Sequence, residues 1–91
     1  MKIYIAGAIT DNPRYEKQFK NAEKSLASAG YVVVNPIKPL GFSYKEYIDM
    51  GLNELMRCDA IYLLKGWEMS NGANLEYLYA TTVGMTVIYE S

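Results

Sequence analysis

Four short apolar segments rich in β-branched residues alternate along this chain with three segments of helical periodicity. The expected strands are residues 2–7, 31–35, 59–64 and 85–89. Strands that alternate with helices form parallel sheets through right-handed crossovers. The pattern therefore predicts an α/β fold, a small flavodoxin-like or Rossmann-like sheet of four parallel strands in the order 2-1-3-4 with helices on both faces. Residues 1–91 are expected to form one domain.

Local signals mark the ends of the first two helices. Asn12 is expected to cap the first helix, with Pro13 at its first position, where the missing N–H does no harm. Gly30 is expected to close that helix in a left-handed conformation. Ser43 and Glu46 have the spacing of a capping box for the second helix.

The third helix is expected to begin near Gly72 and to carry Glu76 in its first turn. Residues three and four apart share a helix face, which places Glu76 on the same side as Ala73 and Ala80, facing the sheet. Beside the free N–H groups of a first turn, a carboxylate can stay ionised while it is packed. Glu76 is then either a functional carboxylate or one that only complements the helix dipole.

Composition excludes several classes of protein. A net charge of −1 without a basic cluster argues against binding of nucleic-acid polymers. One cysteine and no histidine exclude an internal disulfide, a Cys/His zinc site and a histidine-assisted nucleophile. No metal or cofactor is expected. The apolar runs are too short to span a membrane, and no secretion signal precedes the first strand, so a cytoplasmic location is expected.

Ligands of such sheets bind beyond the carboxyl ends of the strands, where the winding direction reverses, here between strands 1 and 3. A small ligand is therefore expected among the loops that follow the strands. The candidate ligand-binding residues of these loops are Gly7, Ala8, Ile9, Thr10, Arg14, Trp67, Ser70, Asn71 and Gly72. Trp67 can stack on a base or sugar, or lie at a subunit contact.

Gly51 is an anomaly on the apolar face of the second helix, because a glycine inside a helix costs roughly 1 kcal/mol relative to alanine. It indicates either close packing on the sheet or room for a ligand, and it is therefore also a candidate ligand-binding residue.

Three segments carry a family resemblance: Ile3 to Gly7, Asp59-Ala-Ile-Tyr62, and Ser70-x-Gly72-x-x-x-Glu76. With them the chain resembles the nucleoside 2-deoxyribosyltransferase-like superfamily, especially a short branch common in bacteria and phages. The resemblance covers almost the whole chain, and it implies an enzyme that acts on nucleosides or nucleotides.

The resemblance implies roles for two catalytic residues. The glutamate matching Glu76 is the nucleophile that attacks the anomeric carbon of a deoxyribose, and the tyrosine matching Tyr4 holds that glutamate. The alternative for Tyr4 is a core residue of the first strand. Ser70 matches a serine that binds the 5′-phosphate in the superfamily's nucleotide N-hydrolases, with Gly72 and the backbone of residues 7–9 completing the cradle. The alternative is that Ser70 only starts the helix.

The chain departs from the superfamily at Gly51, where the resemblance implies an aspartate that assists departure of the base. Asp49 lies on the opposite helix face, so Glu68 or Asp11 would have to substitute.

The function expected from the resemblance is glycosyl transfer or hydrolysis on a 2′-deoxynucleoside 5′-monophosphate. The alternatives are a non-catalytic nucleotide-binding protein that uses the same pocket, and a structural module. Apolar surface around Tyr44, Tyr47 and Tyr79 predicts a homodimer or a higher homo-oligomer.

Overall fold

The computed structural model describes residues 1–36 and 40–91, and it shows the predicted α/β architecture. The strands are β1 (Lys2–Ala6), β2 (Val32–Val34), β3 (Ala60–Leu63) and β4 (Thr86–Tyr89). The helices are α1 (Tyr15–Ser28), α2 (Tyr44–Leu55) and α3 (Asn71–Val83), and a 3₁₀ turn covers Trp67–Met69. The predicted loop 36–42 lies partly outside the described residues. Among these residues, no helix is long and apolar enough to cross a membrane.

The sheet has the predicted order β2-β1-β3-β4, and every neighbouring pair is parallel. The registers align the start of the strands: Ile3 pairs with Val33 and Ala60, and Ala60 pairs with Thr86. All four carboxyl ends therefore lie at one edge. At that edge Gly7 allows β1 to approach the residue after β3, because a β-carbon on Gly7 would lie 2.9 Å from Leu64 Cδ1.

Helices cover both faces of the sheet, as predicted. Phe19 and Ala22 of α1 pack on Ile5 and Leu64. On the opposite face, one cluster joins β1 and β3 to α2 and α3; its buried members are Tyr4, Ala6, Leu55, Ile61, Leu63, Ala73 and Ala80. Because successive side chains of a strand point to opposite faces, Tyr4 and Ile5 belong to different cores.

The predicted start of α1 is wrong by two residues. Asn12 does not cap the helix, because its side chain is used within the preceding turn, where it donates to Ala8 O at 2.8 Å and accepts from the N–H of Arg14 at 3.2 Å. Helix α1 therefore begins at Tyr15, with Arg14 at the cap position and no side-chain cap. The left-handed Gly30, with φ +94°, follows the helix end as predicted.

The capping box of α2 is confirmed. Ser43 Oγ accepts from the N–H of Glu46 at 3.2 Å, and Glu46 Oε1 accepts from the N–H of Ser43 at 2.8 Å. This reciprocal pair satisfies two N–H groups at the helix start. The serine and glutamate therefore fix the direction in which α2 leaves the loop and crosses the sheet.

The prediction that Glu76 lies in the first turn of α3 is wrong. Ser70 caps this helix, which begins at Asn71, so its first turn contains no acidic residue and Glu76 lies in the second turn. The helix dipole acts mainly within the first turn. The charge of Glu76 is therefore governed by other neighbours.

Candidate active site

A cavity of about 630 Å³ opens at the carboxyl edge of the sheet, which is the size of a small-molecule site. Its floor contains Tyr4 and Ala6 of β1, and its walls come from the loop after β1, from α2 and from the start of α3. Glu76 lies among the lining residues. The cavity thus occupies the position where open parallel sheets bind ligands.

Tyr4 and Glu76 form a hydrogen-bonded pair in this cavity. The Tyr4 hydroxyl donates to Glu76 Oε2, across a sequence separation of 72 residues. Tyr4 is only 1% exposed, so its ring is part of the core and fixes the position of its hydroxyl. Both interpretations of Tyr4 from the sequence therefore hold together: it is a core residue, and it holds the carboxylate.

Burial sets the protonation of the pair. Burial raises the pKa of Glu76 from 4.5 to about 7; the Tyr4 hydrogen bond opposes this increase, and the negative charge of Glu54 adds to it. Burial, followed by the charge of Glu76, raises the pKa of Tyr4 far above its ordinary value, so this hydroxyl remains a donor. Near neutral pH, Glu76 is divided between a neutral acid and an ionised carboxylate.

Gly51 packs directly against this pair. A β-carbon on Gly51 would lie 2.7 Å from Glu76 Oε2 and 2.9 Å from Tyr4 Oη, distances that side-chain carbons do not tolerate. Gly51 thus makes room for the carboxylate and hydroxyl of the protein itself. No side chain at position 51 fits beside the pair as it is arranged here.

The start of α3 forms a second polar wall. Ser70 Oγ accepts from the N–H of Ala73 at 3.1 Å, and Asn74 Nδ2 donates to the carbonyls of Ser70 and Glu68 at 2.8 and 2.9 Å. Asn71 and Gly72 line the cavity, and N–H groups of a first turn have no partner within their helix. The Ser70 hydroxyl can still donate its proton, so this wall can bind an anion.

The loop after β1 is a hydrogen-bonded turn, and three of its residues line the cavity. The N–H of Asn12 donates to Ile9 O at 3.2 Å, and Asp11 has φ +61°, a left-handed conformation that asparagine, aspartate and glycine adopt most readily. Gln18 connects this turn to the loop after β3, because it accepts from Asn12 Nδ2 at 3.1 Å and donates to Lys65 O at 3.0 Å. Ile9, Thr10 and Asp11 lie in the lining.

Aromatic side chains form the outer wall, which the sequence interpretation did not assign to the site. Tyr15 at the start of α1 and Tyr44 and Tyr47 of α2 line the cavity. Phe42 supports Tyr47 in an edge-to-face contact with 5.9 Å between ring centres. Their sequence positions could have indicated this, because all three tyrosines lie in the first turns of helices whose N-termini meet the carboxyl edge of the sheet.

The structure brings together most of the predicted site residues, but not all of them. The cavity lining contains Tyr4, Gly7, Ile9, Thr10, Gly51, Ser70, Asn71, Gly72 and Glu76. Ala8, Arg14 and Trp67 are not part of it. Trp67 instead stacks on Tyr77, with 4.8 Å between ring centres. Of the two substitute acids, Asp11 lines the cavity and Glu68 does not.

Among the described residues, no group of three or more histidine, cysteine, aspartate or glutamate side chains is arranged to hold a metal ion. The polar groups of the cavity include hydroxyls, the Asn71 carboxamide, backbone N–H groups and the carboxyls of Asp11 and Glu76. This set suits hydrogen bonding to an organic ligand.

Comparison with solved structures shows that two enzymes of known structure share this fold. The chain is similar to the 2-desoxiribosyltransferase of Leishmania mexicana, with a TM-score of 0.76 and 22% identity over 97% of this chain. It is also similar to the CMP N-glycosidase BcmB of Clostridium botulinum, with a TM-score of 0.73 and 18% identity over 98% of this chain. It spans 62% and 70% of the length of these two proteins.

Residues 1–89 match the family model described as "Domain of unknown function (DUF4406)", and the chain belongs to this family. No curated protein sequence matches it. The resemblance inferred from the sequence is thus confirmed at the level of the fold.

Proposed function

We propose that this protein is an N-glycosidase that cleaves or transfers the bond between base and sugar of a 2′-deoxynucleoside 5′-monophosphate. The observation that carries the proposal is the Tyr4–Glu76 pair, a carboxylate held by a buried hydroxyl inside a cavity of nucleotide size. The structural neighbours, a deoxyribosyltransferase and a CMP N-glycosidase by name, support glycosidic chemistry on a nucleoside or nucleotide.

In the proposed reaction, ionised Glu76 attacks the anomeric carbon while the bond to the base breaks. The product is a glycosyl-enzyme ester, which water or a second base then resolves. A carboxylate nucleophile divides one difficult displacement into two easier ones. Tyr4 orients the carboxylate from below, because its hydroxyl donates to Oε2.

The start of α3 is the proposed phosphate site. Ser70 can donate its hydroxyl proton while it accepts from Ala73, and the N–H groups of Asn71 and Gly72 belong to the unpaired first turn. Gly7, Ile9 and Thr10 approach from the loop after β1. A phosphate suits this wall because a helix N-terminus favours negative charge.

The direct test is release of free base from a panel of deoxynucleoside and ribonucleoside monophosphates, followed by chromatography. Glu76→Gln is the matched control, since glutamine keeps an oxygen that can accept from Tyr4 but is a poor nucleophile. We expect release by the native protein and none by the variant. Equal release by both would reject Glu76 as the nucleophile.

A second candidate, a non-catalytic nucleotide-binding protein, is favoured by Gly51. The space where the superfamily resemblance implies an acid is filled by the Tyr4–Glu76 pair itself. This candidate predicts nucleotide binding in calorimetry without release of base. Binding that Ser70→Ala weakens for monophosphates only, with intact nucleotide recovered afterwards, would support it.

We also propose that the protein is a homodimer that associates through α3. Glu76 is the only charged residue of this helix and faces the cavity, whereas Leu78 and Val83 are 60% and 54% exposed. An uncharged helix face with exposed apolar side chains is suited to a two-fold contact, in which the same surface of both copies is buried. Light scattering of the native protein and of Leu78→Lys tests this; a native monomer would reject it.

A further inference from the structure

The charges of the cavity point to the kind of base that it accepts. Among the described lining residues only Asp11 and Glu76 carry a formal charge, and both are acidic. Arg14, the cation predicted for the site, is exposed and lies outside the lining. Carboxylates favour positive charge on the part of a ligand that lies beside them, which is here the base and not the phosphate proposed for the start of α3.

Position 51 of α2, where the family resemblance implies an aspartate, offers no acid to the departing base. A neutral base that leaves a sugar takes the bonding electrons with it and becomes an anion unless it is protonated, and such protonation is typically worth about 10²- to 10⁴-fold in rate. Gly51 has no side chain, and the Tyr4–Glu76 pair fills the space beside it. Tyr4 is also unsuited to this task, because its hydroxyl is engaged with Glu76.

We propose that the base of the substrate is already cationic before cleavage, as in a pyridinium nucleoside or a purine nucleoside alkylated on a ring nitrogen. This inference rests on the proposed glycosidase function and narrows its leaving group. Such a base leaves as a neutral molecule and needs no protonation, so the absence of an acid at position 51 does not slow its departure.

The step balances without a proton donor. A Glu76 carboxylate oxygen forms the bond to the anomeric carbon, the bond from that carbon to the cationic ring nitrogen breaks, and its electron pair neutralises the ring. Water then attacks the anomeric carbon, the bond to Glu76 breaks and restores the carboxylate, and the proton of the water passes to solvent. The products are a neutral base and a free sugar or sugar phosphate.

The aromatic wall supplies the matching recognition. Tyr15, Tyr44 and Tyr47 line the cavity. Cations bind to aromatic faces with about 0.5 to 2 kcal/mol. A flat cationic ring can thus stack and be neutralised in one place.

A cationic ring would also activate the nucleophile. Glu76 faces Tyr4 from β1 and the charge of Glu54 from α2, and burial raises its pKa to about 7. A positive charge close to a carboxylate favours the ionised form. At neutral pH a fraction of the free protein has Glu76 protonated. Binding of the cationic substrate would therefore shift Glu76 toward its ionised form.

The test compares nicotinamide riboside, a pyridinium nucleoside, with its reduced form, which has nearly the same shape but a neutral ring. Nicotinamide mononucleotide and its reduced form repeat the comparison with a phosphate, and deoxynucleoside monophosphates represent ordinary bases. Each rate is divided by the uncatalysed rate in the same buffer, because cationic glycosides are intrinsically more labile. Binding is measured by calorimetry in Glu76→Gln, with and without Asp11→Asn.

We expect the rate enhancement for the cationic member to exceed that for the reduced member by about 10²-fold or more. We expect Glu76→Gln to bind the cationic member about tenfold more tightly than the reduced member, and the additional substitution Asp11→Asn to remove most of this difference in affinity. For the cationic substrate, the pKa of Glu76 in the pH profile of kcat, which reports the enzyme–substrate complex, should lie below its pKa in the profile of kcat/KM, which reports the free protein.

Two results would overturn the inference in distinguishable ways. Base release from neutral deoxynucleoside monophosphates at an equal rate enhancement would reject the cationic leaving group and leave the proposed function in place. The absence of base release from every compound would reject both. Equal affinity for the cationic and reduced ring would likewise reject the charge preference.

Discussion

Gly51 and Glu76 lie so close together that a β-carbon on the glycine would stand 2.7 Å from the carboxylate Oε2. The two residues belong to different helices, and Tyr4 meets both of them from β1. The glycine therefore determines where the carboxylate is seated. The geometry of the candidate nucleophile depends on a residue that has no side chain.

Gly51→Ala should separate catalysis from folding. Alanine normally stabilises a helix interior by about 1 kcal/mol relative to glycine, but here the added methyl must displace the Glu76 carboxylate from the Tyr4 hydroxyl. We expect stability within about 1 kcal/mol of the native protein and a loss of kcat/KM of about 10²-fold, since misplacement by an ångström can have that effect. Chemical denaturation and base release measure the two quantities.

Asn53→Ala is the matched control for Gly51→Ala, because Asn53 is exposed on the same helix and contacts only Asp49 O among the described hydrogen bonds. It should leave kcat/KM unchanged. If Gly51→Ala also left kcat/KM unchanged, the position of the Glu76 carboxylate beside Gly51 would not matter to the reaction.

Tyr4→Phe should shift the pH dependence of the reaction upward. The Tyr4 hydrogen bond lowers the pKa of Glu76, which burial has raised to about 7, so its removal should raise this pKa further. Because the nucleophile must be ionised, activity at neutral pH should fall, by roughly 10- to 100-fold if the bond contributes 1.5–3 kcal/mol. The pH profile of kcat/KM checks this, and an unchanged profile would show that the bond does not influence the carboxylate.

Glu76→Gln should be more stable than the native protein at mildly alkaline pH. In the folded state Glu76 has a pKa of about 7, against 4.5 for an unperturbed glutamate, so between these values the folded protein holds a proton that the unfolded chain has released. The contribution of Glu76 to the free energy of unfolding is therefore greatest below pH 4.5. It decreases by up to about 3 kcal/mol as the pH rises to about 7, and it is constant above that pH.

Glutamine does not titrate, so the comparison between native protein and Glu76→Gln isolates this one group from all others. Urea denaturation across the pH range should give curves that converge in acid and diverge toward neutral pH. A constant difference between the two proteins at every pH would mean that Glu76 has an ordinary pKa.

The sequence predicted what depends on local pattern. Alternation of strands and helices was sufficient for the strand order, and the spacing of Ala73, Glu76 and Ala80 was sufficient to place the carboxylate on the inner face of α3. The serine and glutamate of the α2 capping box were readable because each bonds within three residues. The helix face and the capping box are set by local chain geometry, and the strand order follows from the general rules for alternating strands and helices.

The rest depends on contacts between distant residues. Gly51 was interpretable as close packing or as room for a ligand, and only the fold shows that its neighbour is Glu76, 25 positions along the chain. Tyr15 packs against the core cluster that contains Phe19, and only the fold shows that it also lines the cavity. The predicted start of α1 was wrong because the Asn12 side chain bonds within the preceding turn, and asparagine favours such turns as well as helix caps.

Ser70 offers a test that distinguishes a helix cap from a phosphate ligand. Its oxygen accepts from the N–H of Ala73, so Ser70→Ala should lower stability by about 1 kcal/mol and should also weaken any phosphate contact. Ser70→Asp keeps an accepting oxygen, and aspartate caps helices about as well as serine, but it places a negative charge where the phosphate is proposed to bind.

If Ser70 binds phosphate, Ser70→Asp should therefore retain native stability, lose activity on monophosphates by about 10-fold or more, and leave activity on the corresponding nucleosides within a few-fold. If the serine serves only as the cap, Ser70→Asp should act on both substrate classes as the native protein does, and only Ser70→Ala should show a defect, through stability. Parallel measurement of the melting temperature and of kcat/KM for each nucleoside and its monophosphate separates these outcomes. Equal losses on both substrate classes would contradict the phosphate site, because a repelled phosphate has no counterpart in a nucleoside.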